Sequence, residues 1–201
     1  MLKVGLTGSI AVGKSYVCEV LREAGAFVLD ADQTAREVVA PGSKGLALIV
    51  EKFGAEVLLA NGELDRAKTS AIIFADETKR EIINAIVHPL VFEAQNAWLI
   101  EKEKENADGI AVIDAALMIE SGSYKRFTKL IVVWCEPVIQ LQRLMLRNNL
   151  SEAEALKRIA AQLPQTEKKR YADFLIDTSE GFEATRAQTI EIFEQLSVLV
   201  G

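Results

Sequence analysis

Gly8-Ser9-Ile10-Ala11-Val12-Gly13-Lys14-Ser15 fits the pattern G-x-x-x-x-G-K-[ST], a loop whose backbone amides cradle phosphate groups. Each residue type has a task in that chemistry. The two glycines let the backbone fold tightly with N–H groups pointing inward, Lys14 carries a point charge to the β- and γ-phosphates, and the Ser15 hydroxyl is a hard oxygen ligand for Mg²⁺. A helix beginning near Gly13 adds its positive dipole end to the same anion. Gly8, Ala11, Val12, Gly13, Lys14, Ser15 and Tyr16 are therefore the expected nucleotide-binding residues, and the implied ligand is a nucleoside polyphosphate.

Phosphoryl transfer also needs an acceptor hydroxyl beside a carboxylate, and positive charge on the moving group. Asp30-Ala31-Asp32 follows an apolar strand pattern, where ligands of open α/β sheets lie. Either acid reads two ways, as the carboxylate at the acceptor or as the cap of a helix over 34–39. Ile110-Ala111-Val112-Ile113-Asp114 sets a further acid after four apolar residues, suited to supporting Mg²⁺ directly or through water. Arg143 and Arg147 are four apart on a helical pattern, hence on one face. They read as a clamp on the transferring phosphoryl group or as surface salt bridges.

These groups need a scaffold, and the hydropathy pattern supplies one. Apolar runs suited to buried parallel strands recur at 4–7, 26–29, 110–113, 130–134 and 174–176, with helical patterns between them. The expected fold class is α/β, a five-stranded parallel sheet flanked by helices. Val17, Val20 and Leu21 give the helix after the loop its apolar face, and Gly25 stops it. No strong strand pattern occurs over 41–106; helical patterns at 67–74, 78–87 and 90–104 mark a helical insert suited to substrate binding. Ser151-Glu152-Ala153-Glu154 is a capping box opening a helix that runs to Leu163 before Pro164. The expected organisation is a core of 1–40, 107–142 and 171–201, the insert at 41–106, and a helical lid at 143–170.

Composition narrows the function classes. The 201 residues carry a formal net charge of −6, which argues against a nucleic-acid partner. The stretch from Arg143 to Arg170 is nonetheless net positive, with seven bases against three acids. Taken alone that is a solvated helix face; beside a phosphate loop it reads as a cationic lid. Cys18 and Cys135 are the only cysteines and His88 the only histidine, so no ordinary zinc set can be assembled, and the thiols read as free and buried. No apolar run nears the roughly 20 residues that cross a bilayer, and the strand pattern starts at once after Met1, so no membrane association and a cytoplasmic location are expected.

Along nearly its whole length the chain resembles the dephospho-coenzyme A kinase family. The resemblance is carried by Gly5-Leu6-Thr7-Gly8 leading into Gly13-Lys14-Ser15, by Asp30-Ala31-Asp32 with Ala35-Arg36, and by Gly62-Glu63-Leu64-Asp65-Arg66. It continues in Ile86-Val87-His88-Pro89, Leu117-Met118-Ile119-Glu120, Gln140-Leu141-Gln142-Arg143 with Arg147, Gln162, and Ala172-Asp173 with Ile176-Asp177. The resemblance implies a P-loop kinase core with a helical coenzyme-binding insert and a lid. It implies ATP and Mg²⁺ as cofactors, dephospho-coenzyme A as the small-molecule partner, and transfer of the γ-phosphate to the ribose 3′-hydroxyl; the oligomeric state is not fixed by sequence, and a monomer is expected. Residue by residue, it makes Asp32 the carboxylate at that hydroxyl and Lys14, with Arg143 or Arg147, the catalytic cations. Thr7, Arg36, Arg66, His88 and Leu117 fall among the substrate-binding residues, Thr7 beside the reacting phosphates and Arg36 and His88 in the acceptor pocket, and Ser15 with Asp114 at the metal.

The chain departs from the family pattern in places. Ser9, Ala11 and Val12 stand where more glycine is usual, Tyr16 where threonine is common, Ala116 where proline usually precedes the leucines, and Thr178 where asparagine is common. Ala115 is not the glutamate of motor ATPases, and no N-K-x-D guanine-reading tetrapeptide occurs. The rival readings are a kinase of another small hydroxyl acceptor, such as a nucleoside monophosphate, and a non-catalytic ATP-binding switch.

Overall fold

A computed structural model describes residues 1–200. The described chain runs β1 (Leu2–Thr7), α1 (Lys14–Glu23), β2 (Phe27–Asp30), α2 (Ala31–Glu37), α3 (Lys44–Phe53), α4 (Arg66–Ala75), α5 (Glu77–Glu105) and β3 (Ile110–Asp114). It continues through β4 (Lys129–Trp134), α6 (Pro137–Asn148), α7 (Glu152–Ala160), α8 (Gln165–Lys168), β5 (Phe174–Asp177) and α9 (Gly181–Val198). All five strands pair in parallel, in the order β2-β3-β1-β4-β5. The fold class is the one expected from the strand patterns, and each strand lies within two residues of its expected bounds.

The strand order places the chemistry. From β1 the chain leaves toward β2 on one side, whereas from β3 it crosses to β4 on the other. Connections that diverge in this way open a crevice at the carboxyl end of β1. Register brings Leu6 beside Asp114, Asp114 beside Asp30, and Trp134 beside Asp177, so three carboxylates stand along that same edge.

Two compact units divide the chain: residues 1–30 with the chain from Lys102 onward, and residues 31–101. In the first, Val4 and Leu6 of β1, Val17 and Leu21 of α1, Ile131 and Val133 of β4, Ile176 of β5 and Ile192 and Leu196 of α9 form one apolar core. The strands on either side of β1, β3 and β4, are buried over residues 110–113 and 130–133, which explains why these read as apolar runs without alternation. Truncating a core residue such as Leu6 to alanine would cost about 2–5 kcal/mol.

The second unit holds α2, α3, α4 and α5 as far as Glu101. Val39, Ile49 and Val57 form its small core, with Phe53, Leu64 and Ile86 packed against them. Ser43 caps α3 by accepting from the Leu46 amide, and Asp65 caps α4 by accepting from Lys68.

Local expectations are corrected at four places. The two helices expected over 78–87 and 90–104 are one, α5, which continues through Pro89. Proline removes one N–H and presses on the carbonyl four residues back, but Ile83, Val91, Gln95 and Leu99 repeat on one buried face and hold the helix on both sides of it. Helix α2 begins at Ala31, three residues before the expected start, so Asp32 lies in its first turn and does not cap it. The capping box at Ser151 and Glu154 is present, but α7 stops at Ala160 and not at Leu163. An amphipathic pattern over 184–199 predicts the closing helix, and α9 begins ahead of it, at Gly181.

Candidate phosphoryl-transfer site

The loop between β1 and α1 is held by sterics and by hydrogen bonds from distant residues. A Cβ at Gly8 would lie 2.4 Å from the Val133 carbonyl oxygen, so only glycine fits there. Gly13 has φ +89°, and Ala11, with φ +62°, also sits in the left-handed region. For a non-glycine residue that conformation costs roughly 1–2 kcal/mol. The Ala11 backbone thus adopts the geometry a glycine would give freely. Val12 turns its side chain into the sheet core.

Side-chain amides complete the loop. Ile10 N–H donates to Gln162 Oε1 at 2.7 Å, and Gln140 Nε2 donates to the Ile10 carbonyl at 2.8 Å. Gln165 Nε2 donates to Gln140 Oε1 at 2.7 Å, while Cys135 N–H donates to Gln165 Oε1 at 3.1 Å. Thr178 Oγ1 donates to the Val12 carbonyl at 2.8 Å. Gln140 and Gln162 match the family pattern, but spacing gave them no task; Gln165 carried no signal at all, because a neutral amide acquires its partner only in three dimensions.

At the mouth of the loop, Lys14 Nζ lies 2.6 Å from Asp114 Oδ1, joining residues 100 apart in sequence. The other Asp114 oxygen accepts from the Cys18 thiol at 3.5 Å. Burial, reinforced by the Asp114 charge and partly offset by Lys14, pushes the Cys18 thiol up to about 12. It therefore stays protonated and able to donate. Thr7 Oγ1 donates to the Ala116 carbonyl at 3.3 Å, on the loop that also carries exposed Leu117.

The two arginines of α6 part company. Arg143 donates from both terminal nitrogens to Thr178, to its hydroxyl and its carbonyl, each at 2.8 Å. Arg147 is exposed and donates through Nε to Asn148 Oδ1 at 3.0 Å. The other bases of 143–170 divide similarly: Lys169 stacks its ammonium 3.2 Å from the Trp134 ring centroid, Arg170 pairs with Glu167, and Lys168 is fully buried. The net positive stretch is thus only partly a solvent-facing cationic surface.

In the helical unit, Asp32 and Arg36 occupy exposed positions one turn apart on α2. Arg66 opens α4, exposed, directly after the capping Asp65. His88 is exposed on α5, its ring 6.2 Å from that of Phe92.

No group of three or more His, Cys, Asp or Glu suited to a metal exists among the described residues. Ser15 and Asp114 are both hard oxygen donors, a set that suits an ion taking its remaining ligands from phosphates and water. No helix among the described residues is long and apolar enough to cross a membrane.

Comparison with known proteins places these features in context. A family model described as dephospho-CoA kinase matches residues 2–183. A dephospho-CoA kinase of Geobacillus kaustophilus is 45% identical over 200 residues, covering 98% of each chain, and one of Listeria monocytogenes is 43% identical over 194 residues, covering 96% of each. Among solved structures, the dephospho-CoA kinase of Campylobacter jejuni superposes with a TM-score of 0.73 at 26% identity, covering 98% of this chain and 97% of its own. A shikimate kinase of Acinetobacter baumannii superposes at 0.51 with 17% identity, covering 98% and 93%, a likeness of fold alone.

Proposed function

The chain belongs to the dephospho-CoA kinase family, and from that premise we propose how its residues divide the ATP-dependent phosphorylation of dephospho-CoA, the last step of coenzyme A synthesis. The amides of residues 8–16 and the start of α1 hold the triphosphate of ATP. Lys14 exchanges Asp114 for the β- and γ-phosphates, carrying its charge to where the transition state needs it. Ser15 and Asp114 would hold Mg²⁺, which when bound neutralises charge on the β- and γ-oxygens.

Asp32 accepts the proton of the ribose 3′-hydroxyl as that oxygen attacks the γ-phosphorus, and ADP leaves. Arg143 and Arg147 supply positive charge around the moving group. Thr7, Arg36, Arg66, His88 and Leu117 contact the acceptor. Residues 143–170 act as a lid that keeps water from the γ-phosphate. The molecule works as a monomer in the cytoplasm.

The observation that carries this reading is the Lys14–Asp114 pair at the carboxyl end of β1, a phosphate-loop lysine already set beside the acid of the neighbouring strand. A coupled ADP-release assay with Mg-ATP tests it. Dephospho-CoA should stimulate turnover and yield coenzyme A; stimulation only by another hydroxyl acceptor would move the substrate elsewhere.

A further inference from the structure

Lys168 is the only Lys, Arg, Asp or Glu buried among the described residues, with 0% of its surface exposed. Its Nζ donates to the Ala116 carbonyl at 2.7 Å and lies 2.9 Å from Glu120 Oε1. The same Glu120 oxygen accepts from the Leu163 amide at 3.1 Å, and the same Ala116 carbonyl accepts from Thr7 Oγ1. One ammonium thus ties α8 to the loop 115–120, and the partners of that loop extend to the end of β1 and the turn after α7.

Stability does not explain this arrangement. Withdrawing an ammonium from water is costly, and replacing a buried ion pair by apolar groups of similar volume is often neutral or favourable. Burial depresses the Lys168 ammonium's pKa, its pair with Glu120 works against that, and the nearby Lys14 charge adds to the depression. What the pair does fix is geometry. Loop 115–120 begins directly after Asp114 and carries Leu117, half of whose surface faces solvent. Ala116 is not a proline, so nothing in the residue itself fixes φ at this point of the loop. A charge-assisted bond to the Ala116 carbonyl restrains the same peptide from outside.

We propose that Lys168 is a positioning residue, holding loop 115–120 through Ala116 and Glu120 so that Leu117 meets the acceptor in a fixed place. The proposal rests on the reading of Leu117 as an acceptor contact. It makes α8 part of the acceptor side of the reaction although Lys168 touches no reacting atom.

The test uses the full-length enzyme with Lys168→Met, which keeps a long side chain without charge, and Glu120→Ala, whose site is partly open to water. The Kd for dephospho-CoA without nucleotide is measured by calorimetry, KM for each substrate and kcat by ADP release, and stability by thermal melting. Both variants should weaken dephospho-CoA binding and raise its KM about tenfold, as expected for one charge-assisted contact, with the KM for ATP within about twofold. A lower melting temperature with unchanged dephospho-CoA binding would overturn the proposal, as would an equal loss for both substrates. If Lys168→Met does not fold, an unchanged dephospho-CoA affinity in Glu120→Ala overturns it alone. Wild-type turnover is the control, since its absence would indict the substrate and not Lys168.

Discussion

Apart from exposed Arg147, the sheet unit holds its polar site residues in place, whereas the helical unit leaves them exposed. In the sheet unit Lys14 lies against Asp114, Arg143 against Thr178 and Ile10 between two glutamines. In the helical unit Asp32, Arg36, Arg66 and His88 all occupy exposed positions. Cores differ in parallel: one large apolar cluster lies under the phosphate loop, whereas the helical unit has a small one and leaves Phe74 94% exposed. With the roles proposed above, the difference teaches that phosphate handling would be organised in advance by packing, since every triphosphate tail presents the same charge. Acceptor recognition would then be left to open helix faces.

Breaking this comparison on the helical side should have the largest effect. Asp32→Asn keeps the shape and removes the proposed base, so kcat should fall about 10²–10⁴-fold, while the Kd for ATP stays within about twofold. Single-turnover kinetics with nucleotide titration would check it, and near-normal turnover would shift the role to Asp30 or to no side chain.

On the sheet side, the Cys18 thiol sharpens the contrast through pH. Its pKa rises from 9.0 to about 12 on folding. Above pH 9 the unfolded chain releases this proton while the folded chain keeps it, so the thiol's contribution is intact below pH 9 and declines toward pH 12, by about 1.4 kcal/mol per pH unit at most. Denaturant titrations from pH 8 to 11 should show a steeper alkaline loss in the wild type than in Cys18→Ala. Parallel slopes would mean that burial does not hold the thiol protonated in the folded chain.

The smallest effect is expected at Ala11. Glycine relieves its left-handed strain but gains freedom in the unfolded chain, so Ala11→Gly should stabilise by no more than about 1 kcal/mol. A melting temperature higher by about 2–4 °C per kcal/mol would register it. A lower one would show that the loop favours alanine there for another reason.

Much of the scaffold was legible because its signals are local. Strands β3 and β4 carry continuous apolar runs, and the box at Ser151 and Glu154 specifies its own helix start. Pro89 misled because a proline's cost is local, while the buried stripe on α5 that outweighs it is not. The loop residues and Asp114 were legible as a motif and a strand end. Lys168 was read as one of seven clustered bases, since its partner Glu120 is 48 residues away and nothing in a lysine's neighbours in sequence announces burial. Arg143 and Arg147 share a helical face, yet only Arg143 finds an anchor, because Thr178 arrives from another strand end.

Ile10 is made long before its partners, because the glutamines that hydrogen-bond its carbonyl and its N–H lie 130 and 152 residues further along the chain. The phosphate loop therefore takes its final shape only after Gln162 has been made. A nascent chain would hold nucleotide poorly until then, its loop maturing long after its own residues have been joined.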